Sequence, residues 1–269
     1  MLCRVSHSAL VGAGLLLACL MASCGGQETS SGEAQTDTLR VVAASSLRFA
    51  LPDVLSEWRR RRPGLDVEVS YTSSGQAFAQ LGQGAPFDLF LSADRRFPER
   101  LVEGGVASRE SLFVYARGQL ALYTERDLGL ASTGVEGLRA ASISHIAIAN
   151  PEHAPYGRAA IASLRTLGVL DAVEAKLVQG ESVGQAANLV AGGAADVGII
   201  ALSLTRAPSM RGGYILTLPV ESYPALWQAG VVIQASPHRA AAEELRALLL
   251  SPRGQSTLSR WGLLPAPEG

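Results

Sequence analysis

The sequence alternates short apolar runs with longer amphipathic runs from Leu39 onward, and this alternation constrains the fold more than any other feature. Residues 39–44 form an apolar run of strand length, whereas residues 47–61 carry their apolar side chains at helical spacing. The second half of the chain repeats the same strand-then-helix order. We therefore predict an α/β fold, with mixed sheets flanked by helices.

The remaining elements follow from the same two periodicities. Further strands are predicted at residues 67–71, 87–91, 119–124, 146–149, 197–201 and 230–234. Further helices are predicted at residues 76–81, 97–103, 155–167, 184–191 and 238–250, with a last helical stretch at 251–262.

The composition indicates how large a core the chain can bury and which class of partner is disfavoured. A chain of 269 residues, of which 48% are hydrophobic and 17% charged, can bury a substantial core as one large domain or two lobes. The formal net charge of -1 argues against a nucleic-acid surface, because neutralising phosphates needs an excess of Lys and Arg.

Residues 1–23 read as a lipoprotein signal peptide. Arg4 supplies a small positive region, residues 9–22 are apolar, and small residues precede Cys24. The run Met-Ala-Ser-Cys-Gly-Gly around Cys24 resembles a lipobox, which makes Cys24 the lipidated first residue of the mature chain. Cys19 is a competing cleavage site, and an ordinary secretory signal is the remaining alternative.

All the cysteines, Cys3, Cys19 and Cys24, lie in this leading segment. The rest of the chain can therefore hold neither a disulfide nor a cysteine-based metal site. Residues 24–38 are rich in Gly, Ser, Thr, Glu and Gln, a composition typical of a flexible tether. We expect an exported domain, periplasmic or on the cell surface, that touches the membrane only through its lipid anchor.

Four junctions place a small polar or backbone-exposing residue where an extended segment turns into a helix: Ser46, Ser74, Tyr156 and Val183. A helix N-terminus presents unsatisfied N–H groups and partial positive charge, so it binds anions without a formal cation. Neighbouring serine hydroxyls would add donors. Each serine alone is better explained as a plain N-cap, so the signal for anion binding is the repetition over four junctions.

The full set of runs resembles the molybdate-binding protein family of ABC importers, across residues 39–264. The runs that carry the resemblance are Ala-Ala-Ser-Ser-Leu at 43–47, Tyr-Thr-Ser-Ser-Gly at 71–75, Gly-Ala-Pro-Phe-Asp-Leu-Phe-Leu-Ser-Ala-Asp at 84–94, and Asn-Pro-Glu-His-Ala-Pro-Tyr-Gly at 150–157. The stretch 252–262 resembles the family's terminal helix.

The resemblance implies a two-lobed, class II periplasmic-binding-protein fold with the ligand in the cleft between the lobes. Lobe I would comprise residues 39–117 and 224–269, and lobe II residues 118–223. It also implies an ABC permease and its ATPase as partners, a monomer, no enzymatic activity and no cofactor.

Carried over residue by residue, the resemblance assigns the ligand site. Ser46 and Ser74 would donate hydroxyl and backbone hydrogen bonds from lobe I, with Ser45 as a weaker addition. The backbone N–H groups of Tyr156 and Val183 would close on the anion from lobe II. Molybdate or tungstate suits such a ring of donors, because it offers only acceptor oxygens at neutral pH.

The chain departs from the family at Ala201, where some members place a tyrosine hydroxyl on the anion. Ala201 has no donor in its side chain. Whether Ser203 or another donor compensates is left open by the sequence.

Two other functions compete with oxyanion transport. Residues 180–184 match the G-x-S-x-G spacing of a serine hydrolase around Ser182, but the only later histidine, His238, precedes a helix that the pattern places on the surface. The same fold could also bind sulfate, ferric iron or an organic acid.

Two further features have structural explanations. His145 and His153 show no helical pairing with acidic residues that would indicate a metal site. The basic run of residues 59–62 ends a predicted helix, where cations complement the helix dipole. A solvated face explains this run, and contact with a permease is the alternative.

Overall fold

The structure is a computed structural model that describes residues 37–266. The predicted signal peptide, Cys24 and nearly all of the predicted tether lie outside the described residues. Within residues 37–266, no helix is both long enough and apolar enough to cross a bilayer.

The described residues form ten strands and ten helices joined by short turns. The strands are β1 (Thr38–Ala44), β2 (Asp66–Thr72), β3 (Leu89–Ser92), β4 (Phe113–Gly118), β5 (Leu120–Thr124), β6 (Ile146–Ala149), β7 (Leu177–Gly180), β8 (Val197–Ala201), β9 (Tyr214–Thr217) and β10 (Leu226–Val232). The helices are α1 (Ala50–Arg61), α2 (Ser74–Gly82), α3 (Arg96–Glu103), α4 (Leu130–Thr133), α5 (Pro155–Thr166), α6 (Leu170–Val173), α7 (Val183–Ala191), α8 (Leu202–Thr205), α9 (Arg239–Leu250) and α10 (Pro252–Arg260).

The strands build two five-stranded mixed sheets. The first has the order β2-β1-β3-β10-β4, and the second has the order β7-β6-β8-β5-β9. In the first sheet, β1 pairs in parallel with β2 and β3, and β10 pairs antiparallel with β3 and β4. In the second sheet, β6 pairs in parallel with β7 and β8, and β5 is antiparallel to β8 and β9. The prediction of mixed sheets flanked by helices is confirmed.

The chain passes between the sheets at two places. It leaves the first sheet at the end of β4 and enters the second at β5 after a single intervening residue, Gln119, and it returns between β9 and β10.

Separate hydrophobic cores stabilise the two sheets. Helices α1, α9 and α10 cover one face of the first sheet, and α2 and α3 cover the other. Trp58, on α1, is only 1% exposed. The second sheet packs against α5 and α7 in a core of its own. Because both faces are covered, the central strands are apolar without alternation, which is why they stand out in the sequence.

Most predicted elements differ from the observed ones by one or two residues at their ends, and three show differences with a structural cause or a larger size. Strand β3 begins at Leu89 rather than residue 87, because Asp88 uses its carboxylate to accept the Arg40 N–H at 2.6 Å. Strand β10 begins at Leu226, four residues before its predicted start. The helix predicted at 47–61 is divided into a 3-10 turn at Ser45–Leu47 and α1 from Ala50. Strands β4, β7 and β9 and the short helices α4, α6 and α8 were not among the predicted elements.

Candidate functional site

The first sheet brings two of the predicted junctions together. Because β1 and β2 are parallel and end in register, with Ala44 opposite Thr72, the residues after them share one edge of the sheet. The turn Ser45–Leu47 follows β1, and α2 follows β2. Ser73 caps α2 by accepting the Gln76 N–H at 3.3 Å, and this leaves Ser74 as the first residue of the helix.

The second sheet brings the other two junctions together in the same way. Strands β6 and β7 are parallel, with Ala149 opposite Gly180 at their carboxyl ends. Helix α5 follows β6 with Tyr156 as its second residue, and α7 follows β7 with Val183 as its first. Both amides lie in a first helical turn, where the helix itself offers no acceptor.

The four junctions enclose one small chamber. Its walls are Ala44, Ser45, Thr72, Ser73, Ser74, Ala93, Ala154, Pro155, Tyr156 and Val183. None of these ten residues carries a formal charge. Its free volume of about 10 Å³ is close to the ~10–15 Å³ that one enclosed water molecule needs. Pockets that hold drug-sized molecules are roughly 300–1,000 Å³, so this chamber suits a very small ligand.

Ser74 and Ser45 have their hydroxyl oxygens occupied by backbone donors. Ser74 Oγ accepts the Ala93 N–H at 2.9 Å, and Ser45 Oγ accepts the Gly184 N–H at 3.0 Å. Each hydroxyl therefore keeps its own proton available for donation. Both serines are at most 3% exposed. The arrangement presents O–H donors to whatever occupies the chamber.

Ser46 lies beside the chamber rather than among the residues that line it. Its side chain is fully buried, and its hydroxyl lies within interaction range of the buried Tyr156 hydroxyl. Burial raises the pKa of Tyr156, so its hydroxyl stays protonated at neutral pH. Ser45, which the sequence ranked below Ser46, is the serine of this pair that lines the chamber.

Ala201 is fully buried at the end of β8 and does not line the chamber. The Ser203 hydroxyl donates a hydrogen bond to the backbone carbonyl of Ser46 at 2.6 Å. Ser203 therefore supports the turn after β1 and is not a donor to the chamber.

The two sheets are joined around the chamber by direct contacts. The Gly75 N–H donates to the His153 carbonyl at 2.9 Å, and Gly184 reaches Ser45 as described above. Outside the chamber, Arg158 Nη2 pairs with Asp94 Oδ2 at 2.9 Å. These contacts join the two sheets on both sides of the chamber.

The hydrolase alternative finds no triad in the structure. Ser182 Oγ accepts the Gln185 N–H at 3.3 Å and so caps α7. His238 instead pairs with Asp88 and Asp37, at the amino ends of β3 and β1. Ser182 lies at the carboxyl end of its strand, as the chamber does. Ser182 and His238 are therefore at opposite ends of the strands and do not form a triad. Across residues 37–266, no group of three His, Cys, Asp or Glu side chains could hold a metal ion.

A larger cavity, of about 730 Å³, lies at the amino end of the first sheet and includes Arg40, Asp88 and His238 in its walls. Its walls come from the first sheet and its helices alone. Asp88 accepts hydrogen bonds from His238 and from the Arg40 backbone N–H, and the Arg40 guanidinium lies 4.0 Å from Glu68. No strand-to-helix junctions meet at this cavity as they do at the small chamber, so we do not assign the ligand site to it.

Sequence reasoning missed the parts of the site that depend on the second sheet facing the first. Ala93, Ala154 and the contact between Gly75 and His153 carry no polar side-chain signal. Gly75 offered one clue, because glycine near a helix start often marks a close backbone approach. A Cβ at Gly75 would lie 2.5 Å from the His153 carbonyl oxygen.

Comparison with known proteins places this geometry in a family. The family model described as bacterial extracellular solute-binding protein matches residues 39–264. Molybdate-binding protein ModA of Rhodobacter capsulatus is 34% identical over 223 residues, which cover 82% of this chain and 87% of that protein. ModA of Azotobacter vinelandii is 32% identical over 230 residues, 85% of this chain and 90% of that protein. The solved structure of the Azotobacter vinelandii periplasmic molybdate-binding protein matches with a TM-score of 0.79 and 33% identity, over 86% of this chain and 100% of that chain. The chain belongs to the bacterial extracellular solute-binding protein family.

Proposed function

We propose that this chain is the extracytoplasmic substrate-binding component of an ABC importer and that it captures molybdate or tungstate. The observation that carries the proposal is the small chamber lined by neutral donors at four junctions, with no charged side chain in its walls. The similarity to proteins named for molybdate binding supports it.

A fully ionised oxyanion matches this chamber chemically. It offers acceptor oxygens on every side and no donor, so each hydroxyl and amide in the wall can donate to it. A hydrogen bond to a charged group contributes about 1.5–3 kcal/mol, against a large desolvation cost. Net binding of roughly -8 to -12 kcal/mol corresponds to micromolar to nanomolar affinity. Sulfate makes the same hydrogen bonds, so selection against it rests on the size of the closed chamber.

We propose capture by hinged closure. Residues 39–117 with 224–269 form one lobe, residues 118–223 form the other, and the two connections between the sheets act as hinges. The contacts of Gly75 and Ser45 across the chamber stabilise the closed form. A tetrahedral oxyanion is larger than one water molecule, so the lobes close on it slightly less far than in this structure.

The setting of the protein is part of the proposal. A lipid on Cys24 would anchor the exported domain to the membrane, and an ABC permease with its ATPase would receive the anion from the closed form. The domain would act as a monomer, without a cofactor and without catalysis.

Calorimetric titration of the domain from Thr36 onward tests the function. Molybdate, tungstate, sulfate and phosphate are titrated into the wild type and into Ser45→Ala, Ser46→Ala and Ser74→Ala. We expect tight binding of molybdate and tungstate, weakened about 10- to 100-fold by Ser45→Ala and Ser74→Ala, which each remove one charge-assisted hydrogen bond.

Ser256→Ala is the matched control, because Ser256 is exposed on α10, away from the chamber. It should bind like the wild type. No heat with any of the four anions would overturn the function, and tight binding of sulfate alone would assign a different oxyanion.

A further inference from the structure

Five arginines cluster at the carboxyl end of α1 and the start of α10. We call Arg59, Arg60, Arg61, Arg62 and Arg253 the arginine face. Three of its members share one carboxylate: Arg60 pairs with Glu57, Arg61 lies 3.2 Å from it, and Arg253 lies 2.7 Å from it. These three guanidinium side chains are 57–67% exposed, whereas Glu57 is only 13% exposed.

The arginine face carries excess positive charge on a chain whose net charge is -1. Arg62 pairs with Glu244 through Nε at 2.7 Å, so one of the five is neutralised outside the Glu57 cluster. Asp66, exposed at the start of β2, and Asp37, which pairs with His238, also lie at this end of the described residues. Two carboxylates, Glu57 and Glu244, form ion pairs with members of the arginine face, so five arginines stand against two paired and two neighbouring carboxylates.

The position of the arginine face relates it to the leading segment of the chain. The Leu65 N–H donates to the Arg62 carbonyl at 3.3 Å, and the Asp66 N–H donates to the Asp37 carbonyl at 3.0 Å. The end of α1 thus adjoins the residue where the described chain begins. The chamber lies at the other end of the same elements, beyond the carboxyl ends of β1 and β2. An α-helix of twelve residues is about 18 Å long, so the arginine face and the chamber are well separated.

The length of chain before Asp37 limits how far this end can lie from an anchor. Twelve residues separate Cys24 from Asp37. Even fully extended, that segment reaches at most about 45 Å. An anchor at Cys24 would attach the domain at the end that carries the arginine face and would hold that end within about 45 Å of the bilayer.

We propose that the arginine face docks on the anionic phospholipid surface that carries the anchor, and that it thereby turns the chamber away from the bilayer. The proposal rests on the proposed anchor for its biological setting and is independent of which anion the chamber binds. Each arginine close to an anionic membrane surface strengthens binding roughly fivefold, and this attraction falls off within a Debye length. A lipid and a basic surface together would act as two membrane signals on one chain.

Vesicle flotation of the domain from Thr36 onward tests the docking surface without the lipid. Phosphatidylcholine vesicles containing or lacking phosphatidylglycerol are compared at low and high salt. The face variant is Arg60→Gln/Arg61→Gln/Arg253→Gln. Its matched control, Arg109→Gln/Arg165→Gln/Arg211→Gln, removes three exposed arginines elsewhere. A further variant, Glu57→Gln, removes the carboxylate that Arg60, Arg61 and Arg253 share, and it should strengthen vesicle binding.

We expect the wild type to float only with phosphatidylglycerol vesicles and to be released by salt. The face variant should bind at least about tenfold more weakly, the control should bind like the wild type, and Glu57→Gln should bind more tightly. Thermal melting and molybdate titration of the same samples check folding and separate this result from the proposed ligand function. Failure of the wild type to float, or equal losses in both triple variants, would overturn the proposal and leave the face to a protein partner.

Discussion

Gly75→Ala should weaken anion binding by obstructing closure while leaving the open domain intact. The Gly75 N–H donates to the His153 carbonyl at 2.9 Å, and an added Cβ would lie 2.5 Å from that oxygen and 2.8 Å from His153 Cβ. Within α2 the change is favourable, because alanine is better than glycine in a helix by roughly 0.5–1 kcal/mol. The substitution therefore destabilises the contact between Gly75 and His153, which joins the two sheets, and does not destabilise α2 itself.

The magnitude follows from two losses in the closed form. A lost hydrogen bond costs about 1 kcal/mol, and an overpacked contact costs about 1–3 kcal/mol. A net loss of about 2–3 kcal/mol raises the dissociation constant for molybdate roughly 30- to 150-fold.

The matched control is Gly82→Ala, the same substitution at the other end of α2, where an added Cβ meets nothing within 4 Å. Calorimetry gives the dissociation constants, and thermal melting without anion reports the stability of each variant. We expect normal melting in both variants and weak binding only in Gly75→Ala. Equal affinities in the two variants would refute the idea that closure brings α2 against the loop before α5.

Three further predictions concern contacts away from the chamber wall. Arg158→Gln removes the pair with Asp94, and because Asp94 keeps its pair with Arg96, we expect only a several-fold faster anion release in stopped-flow measurements. An unchanged rate would exclude a role in closure. Although burial lowers the pKa of His238, its hydrogen bonds to two aspartates raise it above the ordinary value of 6.5. The stabilisation by His238 should therefore be full below pH 6.5 and be lost as the pH rises through the folded-state value, so the melting-temperature difference between wild type and His238→Gln should shrink with rising pH. A pH-independent difference would contradict this assignment. Ser182→Ala removes the cap of α7 and should lower the free energy of unfolding by about 1 kcal/mol in urea titrations, and no loss would show that the cap contributes nothing.

Much of the fold could be predicted because the central strands are buried on both faces. Strand β6, Ile146–Ala149, is fully buried and was predicted with its observed bounds. Strand β9 escaped prediction because it is short and its first residues, Tyr214 and Ile215, are each 46% exposed. The early start of β10 was missed because Gln228 is a fully buried polar residue inside the strand.

The site could be predicted only as far as local sequence extends. Helix starts after parallel strands are a local feature, and three of the four predicted junction residues, Ser74, Tyr156 and Val183, line the chamber, with Ser45 in place of Ser46. Which serine of the pair Ser45 and Ser46 faces the chamber depends on the direction of the 3-10 turn, which composition does not encode. The pair of Arg158 and Asp94 joins residues 64 apart in sequence, so no local pattern could reveal it.

Anomalous diffraction from crystals grown with tungstate tests the central claim most directly. The account predicts one tungsten peak inside the chamber, with its oxygens at hydrogen-bond distances of about 2.7–3.2 Å from the hydroxyls of Ser45 and Ser74 and the amides of Tyr156 and Val183. A tungsten peak anywhere else, or an empty chamber in crystals of protein that binds tungstate in solution, would contradict it.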